Sequence, residues 1–207
     1  MSSLAVDLAL VLAVDCSSSI DAGDFRIQMD GFAGALRHPS LAQAIAAGEH
    51  HQIALSLMLW SNMQTQVIAM PWRIIGGPGD LEMTARTFGA MERNLQPGGT
   101  GLAAAVDYAA TLLQVLPCAA DRHTIDVSGD GEDNEGGDAG EARDRAVAHG
   151  FTINGLPIVN GSSLLVDYYR TDVIGGPGAF VEPTDSIMSF RDTILKKLLR
   201  EIGRPVS

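Results

Sequence analysis

Apolar runs alternate along this chain with segments in which apolar residues recur every three or four positions. Residues 8–14 and 53–60 are nearly continuous apolar runs, which is typical of strands buried on both faces. Between them, the apolar positions of residues 25–36 recur at helical spacing, and Asp21 and Asp24 lie near the start of this predicted helix, where acids are favourable. The pattern predicts a strand, a helix and a second strand in succession.

The rest of the chain continues this alternation. Further strands are predicted at residues 66–70, 124–127, 151–158 and 179–181, and further helices at residues 80–95, 101–116, 139–149, 163–169 and 186–202. Pro71 places the third strand at a sheet edge, because proline cannot donate a ladder hydrogen bond. Lys196, Lys197 and Arg200 are interpreted as cations that favour the C-terminal end of the last helix. We therefore expect an α/β fold with a doubly wound, mainly parallel central sheet and helices on both faces.

The length and composition suit one domain of this kind. The chain has 207 residues, of which 46% are hydrophobic, and a chain of this length can form a core without disulfide or metal support. We expect a single domain over residues 1–207, since no linker or repeat interrupts the pattern. Cys16 and Cys118 have no Cys-x-x-Cys or Cys/His spacing, so no thiolate zinc site is expected. Both cysteines are interpreted as small buried residues rather than as a disulfide.

The charge argues against two classes of main partner. The formal net charge is −11 at pH 7, which repels nucleic-acid phosphates and anionic membranes. No stretch reaches the roughly 18 apolar residues of a membrane span, so no membrane insertion is expected. The start of the chain superficially resembles the apolar part of an export signal. It has no basic segment and contains Asp7, so we interpret it as the first strand.

Oxygen-bearing side chains occur at the predicted carboxyl ends of strands. Asp15, Ser17 and Ser19 directly follow the first strand, Thr100 precedes a helix in the loop QPGGTGL, and Asp130 lies in the turn SGDGEDN. In an open α/β sheet, ligands bind beyond the carboxyl ends of the strands. The spacing D-x-S-x-S directs alternate side chains the same way in an extended turn. Two carboxylates and three hydroxyls are hard donors that suit Mg²⁺, Mn²⁺ or Ca²⁺.

These motifs resemble the metal-ion-dependent adhesion site of von Willebrand factor A domains. The shared features are the D-x-S-x-S spacing, a threonine in a Gly-Thr-Gly loop and an aspartate in a Gly-Asp-Gly turn. The resemblance implies that one divalent cation is bound, directly or through water, by Asp15, Ser17, Ser19, Thr100 and Asp130. It also implies that an acidic side chain of a protein partner completes the coordination. Over nearly the whole chain, segments such as VDLALVLAVDCSSSID and YYRTDVIGGPGAFV are similar to a bacterial subfamily of these domains without an assigned function.

The neutral hydroxyls give this donor set its chemical character. Because only two carboxylates offset the charge of the ion, the ion retains an attraction for an incoming carboxylate. We predict a protein-interaction module without catalytic residues, with Mg²⁺ as the expected ion and Mn²⁺ or Ca²⁺ as alternatives. Asn134 is a candidate for supporting a metal ligand without touching the ion. The acids around it are interpreted as a solvated loop and the start of a helix.

Three alternatives stay open at this stage. The serines after Asp15 can cap the following helix with no metal involved. Two aspartates and a metal can also serve a hydrolase acting on a phosphoester, although no G-x-S-x-G motif or obvious general base accompanies them. A structural domain with a vestigial site is the third alternative.

The compartment is open too: the bacterial resemblance suggests a soluble protein exported to the periplasm after loss of a signal peptide, and otherwise the protein is cytoplasmic.

Overall fold

A computed structural model describes residues 4–161 and 163–203 of the chain. The strands of this part are β1 (Ala5–Val6), β2 (Leu8–Asp15), β3 (Ile53–Trp60), β4 (Gln66–Ile75), β5 (Ala119–Ala120), β6 (His123–Gly129) and β7 (Thr152–Pro157). The α-helices are α1 (Ala22–Leu36), α2 (Pro39–Ala46), α3 (Pro78–Gly89), α4 (Leu102–Gln114), α5 (Ala139–Ala148), α6 (Leu164–Tyr168) and α7 (Phe190–Ile202). A π-helical turn, Tyr169–Val173, follows α6, and a 3₁₀ turn, Ile187–Ser189, precedes α7.

The main sheet has the strand order β4-β3-β2-β6-β7 within the described residues. Strands β3, β2, β6 and β7 run parallel, and β4 is antiparallel to β3 at one edge. The short strands β1 and β5 pair separately. Right-handed βαβ crossovers account for helices on both faces of such a sheet. The prediction of an α/β fold with a mainly parallel sheet is confirmed.

Alternation along β2 divides the core into two layers. Leu8, Leu10, Leu12 and Val14 face the layer that contains α1, α2, α3 and α7, whereas Ala9, Val11 and Ala13 face α4 and α5. Every residue of β2 is buried, which explains its continuous apolar sequence. Because β2 is the central strand, its last residue, Asp15, arrives at the middle of the carboxyl edge.

The predicted strand 66–70 corresponds to β4, which is longer than predicted and contains Pro71. Leu55 pairs with Arg73 and Leu57 pairs with Met70, so the register shifts where Pro71 lies. The Ser56 hydroxyl donates to the Met70 carbonyl at 2.9 Å within this bulge. An edge strand with a bulge accommodates a residue that lacks an N–H. The predicted edge position is therefore confirmed and the predicted end at residue 70 is wrong.

Other predicted boundaries also need correction. The predicted helix 80–95 is α3, which begins earlier, with Pro78 in its first turn, and ends earlier, at Gly89. The predicted strand 179–181 is wrong, because only one isolated bridge joins Val181 to Gly155. Helix α2 was not predicted; Pro39 at its first position and the His38 ring that caps it are its local signals. No helix among the described residues is long and apolar enough to cross a membrane.

Candidate metal site at the carboxyl edge of the sheet

Asp15 occupies the end of β2 with a fully buried carboxyl group. Its Oδ1 accepts a hydrogen bond of 2.6 Å from the Ser17 backbone N–H, which folds the following turn back toward the carboxylate. Its Oδ2 is buried and has no hydrogen-bond partner among the described residues. A buried carboxylate oxygen without a partner is costly, so this atom marks a place where a polar or cationic group fits.

Side chains link the Asp15 turn to the Asp130 turn. The hydroxyl oxygens of Ser17 and Ser19 are 3.1 Å apart, and the Ser19 hydroxyl donates to Asp130 Oδ1 at 2.6 Å. This chain of contacts joins residues 111 positions apart in the sequence, across the ends of β2 and β6. Ser17 is buried and Ser19 is exposed, so the cluster runs from the core to the surface.

Thr100 lies close to the Asp130 turn. A Cβ placed on Gly131 would lie 3.4 Å from the Thr100 hydroxyl oxygen, which shows how closely the two loops approach. Position 101 has no room for a side chain, because a Cβ on Gly101 would lie 2.5 Å from the Met63 backbone nitrogen. Thr100 itself is buried, so its hydroxyl is held at the edge of the sheet.

Asn134 holds the Thr100 loop in place. Its Oδ1 accepts from the Thr100 backbone N–H at 2.8 Å, and its Nδ2 lies 3.5 Å from the Thr100 hydroxyl. Its own N–H donates to the Thr100 carbonyl at 3.0 Å. Asn134 thus contacts the candidate ligand residue Thr100, while its support of a metal site stays a prediction.

Asp133 has a structural role that the sequence interpretation missed. It is half-buried, and its Oδ2 accepts from the Ala103 N–H at 2.9 Å, in the first turn of α4. Its Oδ1 accepts from the backbone N–H groups of Glu135 and Gly137, both at 3.1 Å. The interpretation of this acid as solvated is therefore wrong, because its carboxylate ties the acidic loop to the N-terminus of α4. Only tertiary contacts reveal this role.

Arg93 is a second residue that the sequence did not single out. Its guanidinium donates to the carbonyls of Cys16 and Ser17, at 2.9 and 3.2 Å, and so fixes the backbone of the serine turn. The Ser18 N–H also donates to the Gly98 carbonyl at 2.9 Å.

Both cysteines are free thiols; Cys16 is buried as expected, but Cys118 is only partly buried.

The helix-cap alternative for the serines does not agree with this geometry. Asp21 is the N-cap of α1, and its Oδ1 accepts from the N–H groups of Gly23 and Asp24 at 2.7 and 2.9 Å. Ser17 and Ser19 instead point toward each other and toward Asp130. The hydroxyls of Ser17 and Ser19 therefore form hydrogen bonds at the carboxyl edge of the sheet and do not cap α1.

Burial controls the electrostatics of the site. The net effect raises the pKa of Asp15 to about 7: burial is the main cause and the Asp130 charge adds to it, while hydrogen bonds from Ser17 and from the Asp130 backbone oppose it. A divalent cation at this position would offset both unfavourable contributions.

No group of three or more His, Cys, Asp or Glu side chains suited to a metal occurs in the described ranges. The donors that do fit a cation are thus two carboxylates with hydroxyls, a set that favours hard ions.

Solved structures with the same fold share little sequence with this chain. Proximal thread matrix protein 1 from the mussel byssus has a TM-score of 0.67 and 14% identity, over 95% of this chain and 47% of that chain. A von Willebrand factor type A structure from Catenulispora acidiphila has a TM-score of 0.64 and 14% identity, over 98% and 44%. The von Willebrand factor domain of the pilus tip protein Mfa5 from Porphyromonas gingivalis has a TM-score of 0.61 and 10% identity, over 98% of both chains.

The chain thus spans less than half the length of the mussel and Catenulispora proteins. Another structure of the mussel protein, with 15% identity, a TM-score of 0.67 and coverage of 95% and 48%, has zinc in its metal-ion-dependent adhesion site. No curated protein sequence matches this chain. The model of the family described as "Protein of unknown function (DUF1194)" matches residues 5–206. The chain belongs to this DUF1194 family, and its fold is that of von Willebrand factor A domains.

Proposed function

We propose that this protein binds one divalent cation at the carboxyl edge of its sheet and, through that ion, an acidic side chain of a protein partner. The observation that carries the proposal is the unpartnered, buried Oδ2 of Asp15 beside a continuous cluster of oxygen donors. Asp15, Ser17, Ser19, Thr100 and Asp130 are the proposed ligand residues, with contact to the ion directly or through water. The role is binding without turnover.

Mg²⁺ is the ion that we propose, with Mn²⁺ as its experimental substitute. Carboxylate and hydroxyl oxygens favour hard cations, and the site contains no imidazole or thiolate among its proposed ligands. The zinc ion in the mussel protein supports the idea that a site of this type accepts divalent cations. The mussel protein is only 15% identical to this chain, so we infer the preferred ion from the donor atoms of this chain.

The acidic partner is proposed from charge and exposure. With two carboxylates around it, a divalent ion is at most neutralised, and it still has room for an anionic ligand because the other donors are neutral. Ser19 is exposed and Asp130 is half-buried, so the outer side of the cluster is open to a partner. The pilus adhesin SpaC from Lactobacillus rhamnosus GG, with a TM-score of 0.63 and 13% identity over 95% of this chain and 30% of that chain, supports an adhesion-type role.

Water-proton relaxation with bound Mn²⁺ tests both parts of this proposal. We expect saturable Mn²⁺ binding that EDTA reverses and Mg²⁺ competes with, and a strong relaxation enhancement from water on the ion. N-acetylglutamate amide should lower the enhancement, because its carboxylate displaces a metal-bound water. The neutral isostere N-acetylglutamine amide is the matched control and should change nothing.

The two possible failures are distinguishable. A protein that binds neither Mn²⁺ nor Mg²⁺ would contradict the metal site itself. If Mn²⁺ binds but the glutamate and glutamine compounds behave alike, the metal site stands and the acidic partner is wrong.

A further inference from the structure

A group of buried polar atoms lies near Asp15 at the carboxyl edge of the sheet. Besides Asp15 Oδ2, the Tyr169 hydroxyl and the Trp60 indole Nε1 are buried and have no hydrogen-bond partner within residues 4–161 and 163–203. Both side chains are fully buried. Buried polar atoms are nearly always satisfied, so three unsatisfied ones around a proposed ligand need an explanation.

Gly129 shows that the two oxygens share one small space, with the Trp60 ring beside them. A Cβ placed on Gly129 would lie 3.0 Å from Asp15 Oδ2, 3.0 Å from the Tyr169 hydroxyl and 3.3 Å from Trp60 Cζ2. The two oxygens therefore lie no farther apart than twice the first distance. No direct hydrogen bond joins them, and a single water molecule is long enough to link two oxygens across a gap of this order.

Two glycines allow Tyr169 to reach this place. A Cβ on Gly155 would lie 2.5 Å from Tyr169 Cδ1, so the ring lies directly on the bare backbone of β7. At the other end of the ring, the hydroxyl lies over Gly129 at the end of β6. Tyr169 is also the first residue of the π-helical turn, an irregularity that often occurs at functional sites. The local backbone thus brings the Tyr169 phenol close to Oδ2 of Asp15.

The group has the composition of a hydrogen-bonded water site. Tyr169 and Trp60 supply O–H and N–H donors, and Asp15 Oδ2 has two lone pairs, one for the proposed ion and one for such a water. A buried water typically makes about three hydrogen bonds to otherwise unsatisfied groups. Apolar packing alone explains the Tyr169 ring, but it does not explain a hydroxyl at this position.

We infer that Tyr169 is a positioning residue of the metal site, whose hydroxyl, through one buried water shared with the Trp60 indole, fixes Oδ2 of Asp15. This inference rests on the proposed metal site. Partners behind a metal-binding carboxylate orient it, and their loss typically weakens metal affinity about 10- to 100-fold. Tyr169 itself does not touch the ion.

The variant Tyr169→Phe tests this role because it keeps the ring in the glycine slot and removes only the hydroxyl. We expect its Mn²⁺ dissociation constant to rise about tenfold in the same relaxation assay. The melting temperature of the metal-free variant should stay close to that of the wild type. The matched control is Tyr108→Phe, on α4, which should change the dissociation constant less than about twofold and the metal-free stability little.

The outcomes separate a positioning role from a purely structural one. If Tyr169→Phe lowers the metal-free melting temperature but binds Mn²⁺ as the wild type does, the hydroxyl serves only the fold and the inference is wrong. A metal affinity unchanged in both tyrosine variants overturns it equally. If the wild type binds no metal, the proposed site fails first, and this inference fails with it.

Discussion

Asp15→Asn is expected to weaken divalent-cation binding by at least about 100-fold and, at the same time, to stabilise the metal-free protein at pH 8. Asparagine keeps the shape of the side chain and an oxygen for the Ser17 N–H, but it lacks the charge that attracts the ion. It also removes the burial penalty of a carboxylate in the metal-free protein. Isothermal titration with Mn²⁺ and thermal unfolding in EDTA measure the two effects.

The gain in stability should depend on pH in a defined direction. Burial raises the pKa of Asp15 from 3.8 to about 7, so from pH 3.8 upward the unfolded state ionises before the folded state does. The cost of the carboxylate therefore grows between pH 4 and 7 and is fully present above pH 7. We expect Asp15→Asn to stabilise the metal-free protein by about 1 to 3 kcal/mol at pH 8 and by almost nothing near pH 4.

Asp21→Asn is the control, because it makes the same chemical change in the next turn. Asp21 caps α1 from an exposed position, and asparagine caps a helix about as well as aspartate. Its metal affinity and stability should equal those of the wild type within error. Equal metal affinity in the Asp15→Asn variant and the wild type would remove Asp15 from the site.

Lys197→Met is expected to lower the free energy of unfolding by about 3 to 5 kcal/mol, the largest stability effect that we anticipate. The Lys197 ammonium is fully buried, 2.5 Å from Asp126 Oδ1 and 2.6 Å from Glu201 Oε1. Asn154 on the edge strand β7 also donates to Glu201 Oε1, at 3.0 Å, so the contacts join α7 to β6 and β7. Without the ammonium, the carboxyl groups of Asp126 and Glu201 stay buried and lose the cation that they share. Urea unfolding at pH 8 measures the loss.

The neighbouring lysine is a matched control for this effect. Lys196 pairs with Glu182 at 2.5 Å, but its side chain is 71% exposed. Exposed ion pairs contribute about 0 to 1 kcal/mol, so Lys196→Met should unfold close to the wild type. Similar losses in both variants would show that the buried triad does not anchor α7.

Much of the site was predictable from local sequence, because its donors sit at recognisable positions. The continuous apolar run of β2 ends at Asp15, and the serines follow at alternate positions, so the strand end and the direction of the hydroxyls are local features. Thr100 and Asp130 were predictable because glycines and strand ends mark their loops. The structure places these residues at one edge, while their binding of a metal stays a prediction.

The contributions of Tyr169, Arg93 and Lys197 were not predictable from local pattern. Lys197 looked like a surface cation at a helix end, yet it is buried, because the carboxylate of Asp126 comes from the middle of a distant strand. Tyr169 comes close to Asp15 because glycines occur at two separate strand positions, Gly129 and Gly155. In each case the deciding partner lies far away in sequence, and no periodicity or spacing encodes it.

Anomalous diffraction from crystals grown with Mn²⁺ tests the central claim most directly. The account predicts one strong peak at the carboxyl edge of the sheet, in bonding contact with the Ser17 and Ser19 hydroxyls and linked to Thr100, Asp130 and Asp15 directly or through single waters. A protein saturated with Mn²⁺ whose crystals show no peak there, or show the ion held by other side chains, would contradict it.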